Sequence, residues 1–236
     1  MDTKEHNPNE PVQGLTEETA KVFDPISNLD CIKGLYLCGG TAQSLQMNHR
    51  LSEDLDFELI GTSRVRPKLD FHATITEIRD RFENTRLEIL GDNHYEIYIN
   101  NKVKLSFFRP ANPVKCIHPG FVYNNIKTPS LQDLLGMKVF TTGVRFILRD
   151  YYDIYCLLEK GCCLKDAVDY ASYLSKHQDK SKSMYSRLLS PQLFPKDKDF
   201  ERMRPRFDIT PEQIARRIAQ AIKDEALKPK LQTPKP

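Results

Sequence analysis

The spacing of apolar and polar positions separates strands from helices along this chain. Leu35-Tyr36-Leu37-Cys38 is a short continuous apolar run, the mark of a buried strand, and Gly39-Gly40 ends it. Thr41 to Met47 reads as a helix opening at that turn. Residues 54–60 alternate polar and apolar, the period-two pattern of a strand with one buried face. Leu69, Ile75, Ile78 and Phe82 fall at helical spacing within 68–84. Strand-like runs follow at 86–91, 95–100 and 103–108, the last two joined by Asn100-Asn101 as a hairpin turn.

Residues 1–14 are polar, with Pro8 and Pro11, and read as unstructured or loosely laid on the surface. Thr16 before Glu17-Glu18 marks a helix start; Pro25 is expected to interrupt that helix, with a second short helix from Ile26. The stretch 110–127 is loop-rich, with 121–123 as a short strand. After Pro129 the pattern turns helical: Ser130 caps a helix through Leu131, Leu134, Leu135, Lys138 and Val139, and 150–158, 164–175 and 211–223 follow. The tail 229–236 is basic and proline-rich, and reads as disordered. The expectation is an α+β unit over 15–128, a mixed sheet with flanking helices, followed by a helical bundle over 129–228.

The bulk numbers change this picture little. At 236 residues the chain can bury a sizeable core, and 35 basic against 32 acidic side chains leave a net charge of +3. Any preference for polyanions must come from local patches. No apolar run is long enough to span a bilayer and the N-terminus lacks a signal-peptide core, so a cytoplasmic protein with no membrane partner is expected. Cys31, Cys38, Cys116, Cys156, Cys162 and Cys163 show no paired metal-ligand spacing. Cys38 and Cys156 read as buried hydrophobes, and the vicinal Cys162-Cys163 as a reduced pair at a helix start.

Candidate chemistry concentrates between Gly39 and Phe57. A glycine pair at a strand-to-helix junction lets backbone N–H groups approach an anion, the helix start adds a positive dipole end, and Thr41 adds a hydroxyl. Asp54 and Asp56, two apart on a strand, project from one face as hard oxygen ligands for a divalent cation. His49 and Arg50 stand just before them, where cations could meet phosphates. Singly, a Gly-Gly turn is more often only a turn, a D-x-D a solvated face and a His-Arg pair surface. Their order is far more specific.

The residues Gly39, Gly40, Thr41, Ala42 and Leu45, then His49, Arg50, Ser52, Asp54, Leu55, Asp56 and Phe57, resemble the signature of the abortive-infection nucleotidyltransferases of AbiEii/AbiGii type, within the polymerase-beta-like superfamily. A second block, Lys138, Arg145, then Arg149-Asp150-Tyr151-Tyr152-Asp153, resembles that family's helical motif. The resemblance spans roughly 15–160 and implies a nucleotidyltransferase-like fold. It also implies transfer of a nucleoside monophosphate from a nucleoside triphosphate, with Mg2+ (or Mn2+) held by Asp54 and Asp56. Gly39, Gly40, Thr41, His49, Arg50, Ser52 and Arg145 would serve the nucleotide and its phosphates. Lys138 would be a point charge for the triphosphate, and Asp153 or Asp150 a base for the incoming hydroxyl or an orienter of Lys138. For Asp150 a helix-cap role weighs nearly as much, and for Arg145 a plain ion pair. Superfamily enzymes often carry a third carboxylate on a neighbouring strand; Ser106 stands there, leaving Glu58 or Glu96 as substitutes.

The acceptor is open. Lys176, Lys180, Lys182, Arg187, Lys196, Lys198, Arg202, Arg204 and Arg206 interleave with Tyr170, Tyr173, Tyr185, Phe194, Phe200 and Phe207, which could bind RNA; on charge alone a solvated bundle with an aromatic core is favoured. The family includes toxins acting on tRNA, which points to an RNA (tRNA-like) or protein hydroxyl and to a cognate antitoxin. Two alternatives stay open: a nucleotide-binding module with little turnover, and an RNA-binding structural protein with an incidental acidic pair.

Overall fold

A computed structural model describes residues 4–5, 12–60, 70–109, 118–176, 181–190 and 200–227. Its centre is a five-stranded mixed sheet, built from β2 (Tyr36–Cys38), β3 (Leu55–Glu58), β4 (Thr85–Gly91), β5 (His94–Ile99) and β6 (Val103–Phe108) in the order β2-β3-β6-β5-β4. Only the β3/β6 pair is parallel. Strand alternation gives this sheet two different faces. Leu55, Phe57, Tyr95, Ile97, Val103, Leu105 and Phe107 are buried on one, where Phe107 stacks between Phe57 and Tyr95 with centroids at 5.3 and 5.1 Å. Asp54, Asp56, Lys104, Ser106 and Glu96 occupy the other. Asn100 and Asn101 both have positive φ (53° and 52°), which closes the turn between the paired Ile99 and Val103, with Lys102 N donating to the Ile99 carbonyl at 3.0 Å.

A smaller sheet runs β1 (Lys4–Glu5), β7 (Pro119–Tyr123), β8 (Ile126–Pro129). Two expectations are corrected here. Part of the lead read as unstructured is tied down: β1 pairs in parallel with Phe121–Val122, and Ser52 N donates to Gly14 O at 2.9 Å. Residues 126–129, largely placed in a loop, form a strand because Asn124 (φ 50°) reverses the chain and returns it antiparallel to β7.

The helices are α1 (Glu17–Ser27), α2 (Gly39–Met47), α3 (Phe71–Arg81), α4 (Leu131–Thr141), α5 (Leu148–Glu159), α6 (Leu164–Leu174), α7 (Ser181–Leu188) and α8 (Pro211–Leu227). Pro25 does not interrupt α1. It stands in the last turn, where its missing N–H costs one bond, and Ser27 Oγ and Asn28 Nδ2 both donate to the Asp24 carbonyl at 2.7 and 2.8 Å. Helix α3 is shorter than 68–84, ending where Phe82 turns extended. Helix α7 has no counterpart in the sequence reading, since only Met184 and Leu188 anchor it. Leu69, Cys116, Lys180, Phe194, Lys196, Lys198 and the tail 229–236 lie outside the described residues.

Two apolar clusters result. One joins α1, α3 and the sheet's core face; the other joins Met47 to α4, α5, α6, α7 and α8. Helix α4 belongs to both, with Leu134 in the first and Leu135 and Val139 in the second, so it forms the hinge line along which sheet and bundle meet. Gly136 permits close contact there: a Cβ would collide with the Tyr170 ring of α6. Among the aromatics considered for RNA, Tyr170 is buried and Tyr185 and Phe200 pack on the bundle cluster, while Tyr173 and Phe207 are exposed. Cys38 and Cys156 are buried as expected, and the described cysteines form no disulfide. Among the described residues no helix is long and apolar enough to cross a membrane.

Candidate active site

The polar face of the sheet meets α4, the α4–α5 connection and the start of α2 around one cavity of about 740 Å³. Its acidic side is built by period-two alternation on β3. Asp54, Asp56 and Glu58 point into the cavity because Leu55 and Phe57 point into the core. Asp56 lies in register with Ser106 on β6, which in turn lies in register with Glu96 on β5. Asp54 is the most open of these carboxylates, its side chain 44% exposed. Burial, followed by the Asp54 charge, raises the pKa of Asp56 above the usual aspartate range. Burial likewise pushes Glu58 up to about 7. Lys104 Nζ faces this group from β6, 3.3 Å from Asp54 Oδ2 and 3.7 Å from Glu96 Oε1.

The opposite side is cationic and comes from the helices. Lys138 Nζ of α4 lies 3.0 Å from Asp150 Oδ1 and 3.0 Å from Asp153 Oδ2, one turn apart on α5. Arg145 donates to Asp150 from Nε (2.8 Å) and Nη2 (3.2 Å). Arg50 grips Asp153 from Nε (2.7 Å) and Nη2 (2.9 Å), a two-point pairing that fixes its plane. His49 Nε2 stands 2.8 Å from Asp153 Oδ1; the acceptor is a carboxylate, so Nε2 carries the proton. Burial would raise both aspartates. Arg50 and Lys138 instead hold Asp153 well below the carboxylate range, and Lys138 and Arg145 hold Asp150 below it. Burial lowers His49, so its ring is neutral. With His49 neutral, three cations face two aspartates, leaving this wall net positive.

The glycines fit between the two sides. Gly39 has φ +67°, and a Cβ there would stand 2.8 Å from Asp56 Oδ2. A Cβ on Gly40 would collide with the Arg50 guanidinium. Helix α2 starts here with no side-chain cap, so its first N–H groups are not taken by its N-cap residue.

Residues 23–232 match the family model described as nucleotidyl transferase AbiEii toxin, type IV TA system. The chain belongs to the AbiEii nucleotidyl transferase toxin family. It is also 26% identical over 159 residues to the uncharacterized protein aq_aa25 of Aquifex aeolicus (strain VF5), an alignment covering 64% of this chain and 71% of that one. In fold it resembles the crystal structure of a candidate nucleotidyltransferase from H. pylori, with TM-score 0.52 and 17% identity over 88% of this chain and 94% of the other. The α+β, nucleotidyltransferase-like fold with a mixed sheet therefore holds. Family and fold together support nucleotidyl transfer, and a type IV toxin–antitoxin family implies an antitoxin partner.

In this AbiEii-family cavity, Gly39, Gly40, Arg50, Ser52, Asp54, Asp56, Lys138, Arg145 and Asp150 are all wall residues. Thr41, His49 and Asp153 are not among them and stand behind the wall. Thr41 Oγ1 lies 2.7 Å from Ser52 Oγ and donates to the Asp54 carbonyl, so both hydroxyls brace the turn before β3. His49 is 1% exposed behind Arg50, stacked on Tyr152 at 5.8 Å, and touches Asp153 rather than the cavity. Asp153 is fully buried, with both oxygens held by Arg50 and one also by Lys138, an arrangement that fits the expected orienting of Lys138. Asp150 stands in the first turn of α5, so its helix-dipole position and its ion pairs coexist.

Lys104 and Glu96 were not singled out together by the sequence, although alternation puts 94, 96, 104 and 106 on polar faces. Their convergence depends on strand order, which local pattern does not carry. Among the described residues no group of three or more His, Cys, Asp and Glu is arranged to hold a metal. A divalent ion fits here only with Asp54 and Asp56 as protein ligands and substrate oxygens completing its shell, an arrangement magnesium accepts.

Proposed function

We propose that this chain is a nucleotidyltransferase that moves a nucleoside monophosphate from a nucleoside triphosphate to a hydroxyl on RNA, of tRNA-like kind, or on protein, as the toxin of a toxin–antitoxin or abortive-infection pair. One observation carries the reading: Asp54 and Asp56 face the same cavity as the Gly39-Gly40 helix start and the wall of Arg50, Lys138 and Arg145. A triphosphate needs such a pairing. Its oxygens are drawn to fixed cations and to the N–H groups of a helix start, while the carboxylates supply the place for Mg2+ (or Mn2+).

When bound, the divalent ion would neutralise phosphate charge and polarise the reacting α-phosphate. The protein's own work is positioning. Arg50 and Lys138 are locked by Asp153, and Lys138 and Arg145 by Asp150, so none reorganises when charge develops. The acceptor oxygen forms its bond to the α-phosphorus as the bond to pyrophosphate breaks, and the hydroxyl proton passes to a cavity carboxylate. Asp153, with both oxygens held by Arg50, Lys138 and His49, orients those cations, and Asp150, which lines the cavity, is the better placed of the two α5 carboxylates to receive that proton.

Ser106 beside Asp56, where a further carboxylate would strengthen metal binding, favours a second reading: a nucleotide-binding module with little turnover. Incubation with α-labelled triphosphates, magnesium and total RNA or protein separates them. Transfer predicts labelled acceptor and released pyrophosphate, both lost in Asp54→Asn and Asp56→Asn with the fold intact. Labelling that persists in both variants ends the transferase reading, and nucleotide-dependent stabilisation without pyrophosphate favours the binding module.

A further inference from the structure

Lys104 lines the cavity on its acidic side, apart from the wall of Arg50, Lys138 and Arg145. It rises from β6 among acidic neighbours, its Nζ 3.3 Å from Asp54 Oδ2 and 3.7 Å from Glu96 Oε1. Its side chain keeps 28% of its surface exposed, so the ammonium can leave without breaching the core. Register explains the arrangement. Lys104 and Ser106 lie on the same face of β6, between Asp54 and Asp56 on β3 and Glu96 on β5. The small Ser106 lets groups from the two outer strands approach a common point above it.

We propose that Lys104 is a built-in counter-ion that holds the cation position of Asp54 while no metal is bound, and that a divalent ion must displace it. This rests on the transferase reading, with Asp54 and Asp56 as metal ligands. An ammonium on a flexible four-carbon stem suits the part: it neutralises the carboxylates in the empty protein and yields to a doubly charged ion. A released Lys104 would remain beside the bound triphosphate, whose negative charge compensates for the contact it lost. Metal and triphosphate therefore bind with positive coupling, each removing an obstacle to the other.

Mn2+ binding followed by electron paramagnetic resonance, with no nucleotide present, tests this. Lys104→Gln is expected to bind Mn2+ about tenfold more tightly than the unaltered chain, since one competing positive charge is gone. Lys104→Arg, which keeps the charge, should bind no more tightly than the unaltered chain, and this excludes a general packing effect. Adding a nonhydrolysable triphosphate should raise the affinity of the unaltered chain more than that of Lys104→Gln. Equal or weaker Mn2+ binding by Lys104→Gln, while Asp54→Asn still abolishes it, overturns the Lys104 role alone. Absence of Mn2+ binding in every form, with triphosphate present, overturns the metal-site reading as well. Thermal melts of the metal-free variants show whether each is folded; should Lys104→Gln be unfolded, Lys104→Met takes its place with the same expectation.

Discussion

Two kinds of carboxylate meet in this cavity, and their environments push them apart. Asp150 and Asp153 are buried but held ionised by Lys138, Arg50 and Arg145, whereas the half-buried Asp56 and the buried Glu58 stand beside like charge and resist ionisation. Glu58 gives this a measurable consequence. Its pKa rises from 4.5 to about 7, so the folded state prefers the neutral acid; its favourable contribution is present below 4.5 and lost as pH climbs through 7. Glu58→Gln removes that dependence. Chemical denaturation should find the variant more stable than the unaltered chain at pH 8, by about 1–3 kcal/mol. At pH 4 the two should be nearly equal. A variant less stable at pH 8 would mean that the Glu58 carboxylate is paired rather than strained.

At the scale of elements, the junction from β2 to α2 sets the site's dimensions. Gly40 lies under the Arg50 guanidinium, which Asp153 prevents from stepping aside. Gly40→Ala is expected to cost about 1–3 kcal/mol of stability, as overpacking does, and to lower transfer activity at least about tenfold. Wild-type activity in a folded Gly40→Ala protein would show that Arg50 has no fixed post. The glycine pair was visible in the sequence, but its reason was only half visible. It was read as room for an anion, whereas room for Arg50 and for Asp56 is the closer demand. Asp54 and Asp56 were legible because period two alone puts them on one face. Lys138, Asp150 and Asp153 came from a family resemblance, which fixed their company but not their roles. The inward placement of Thr41 and His49 was not legible, because α2 is too short to show a clear apolar face and the helix-to-strand loop after it has no periodicity from which to tell inside from outside. Strand β8 and helix α7 escaped for lack of amphipathic length, and the Lys104–Glu96 meeting because register is a property of the whole sheet.

Across the whole molecule, the site exists because sheet and bundle share α4. Leu134 anchors that helix to the sheet's cluster and Leu135 and Val139 to the bundle's, so Lys138 is carried on a rigid rod to face Asp54 and Asp56. With a net charge of only +3, the molecule has no overall field to gather polyanions, and Tyr170, Tyr185 and Phe200 are taken up in packing the bundle. The charge that matters is local, acidic on strands and basic on helices, with one cavity of about 740 Å³ between. A crystal structure with magnesium and a nonhydrolysable nucleoside triphosphate examines this most directly. The account predicts a cation on Asp54 and Asp56, with the phosphates directed at Arg50, Lys138 and Arg145 and the start of α2. Nucleotide lodged elsewhere, or a cation on other ligands while Asp54 and Asp56 face solvent, would contradict it.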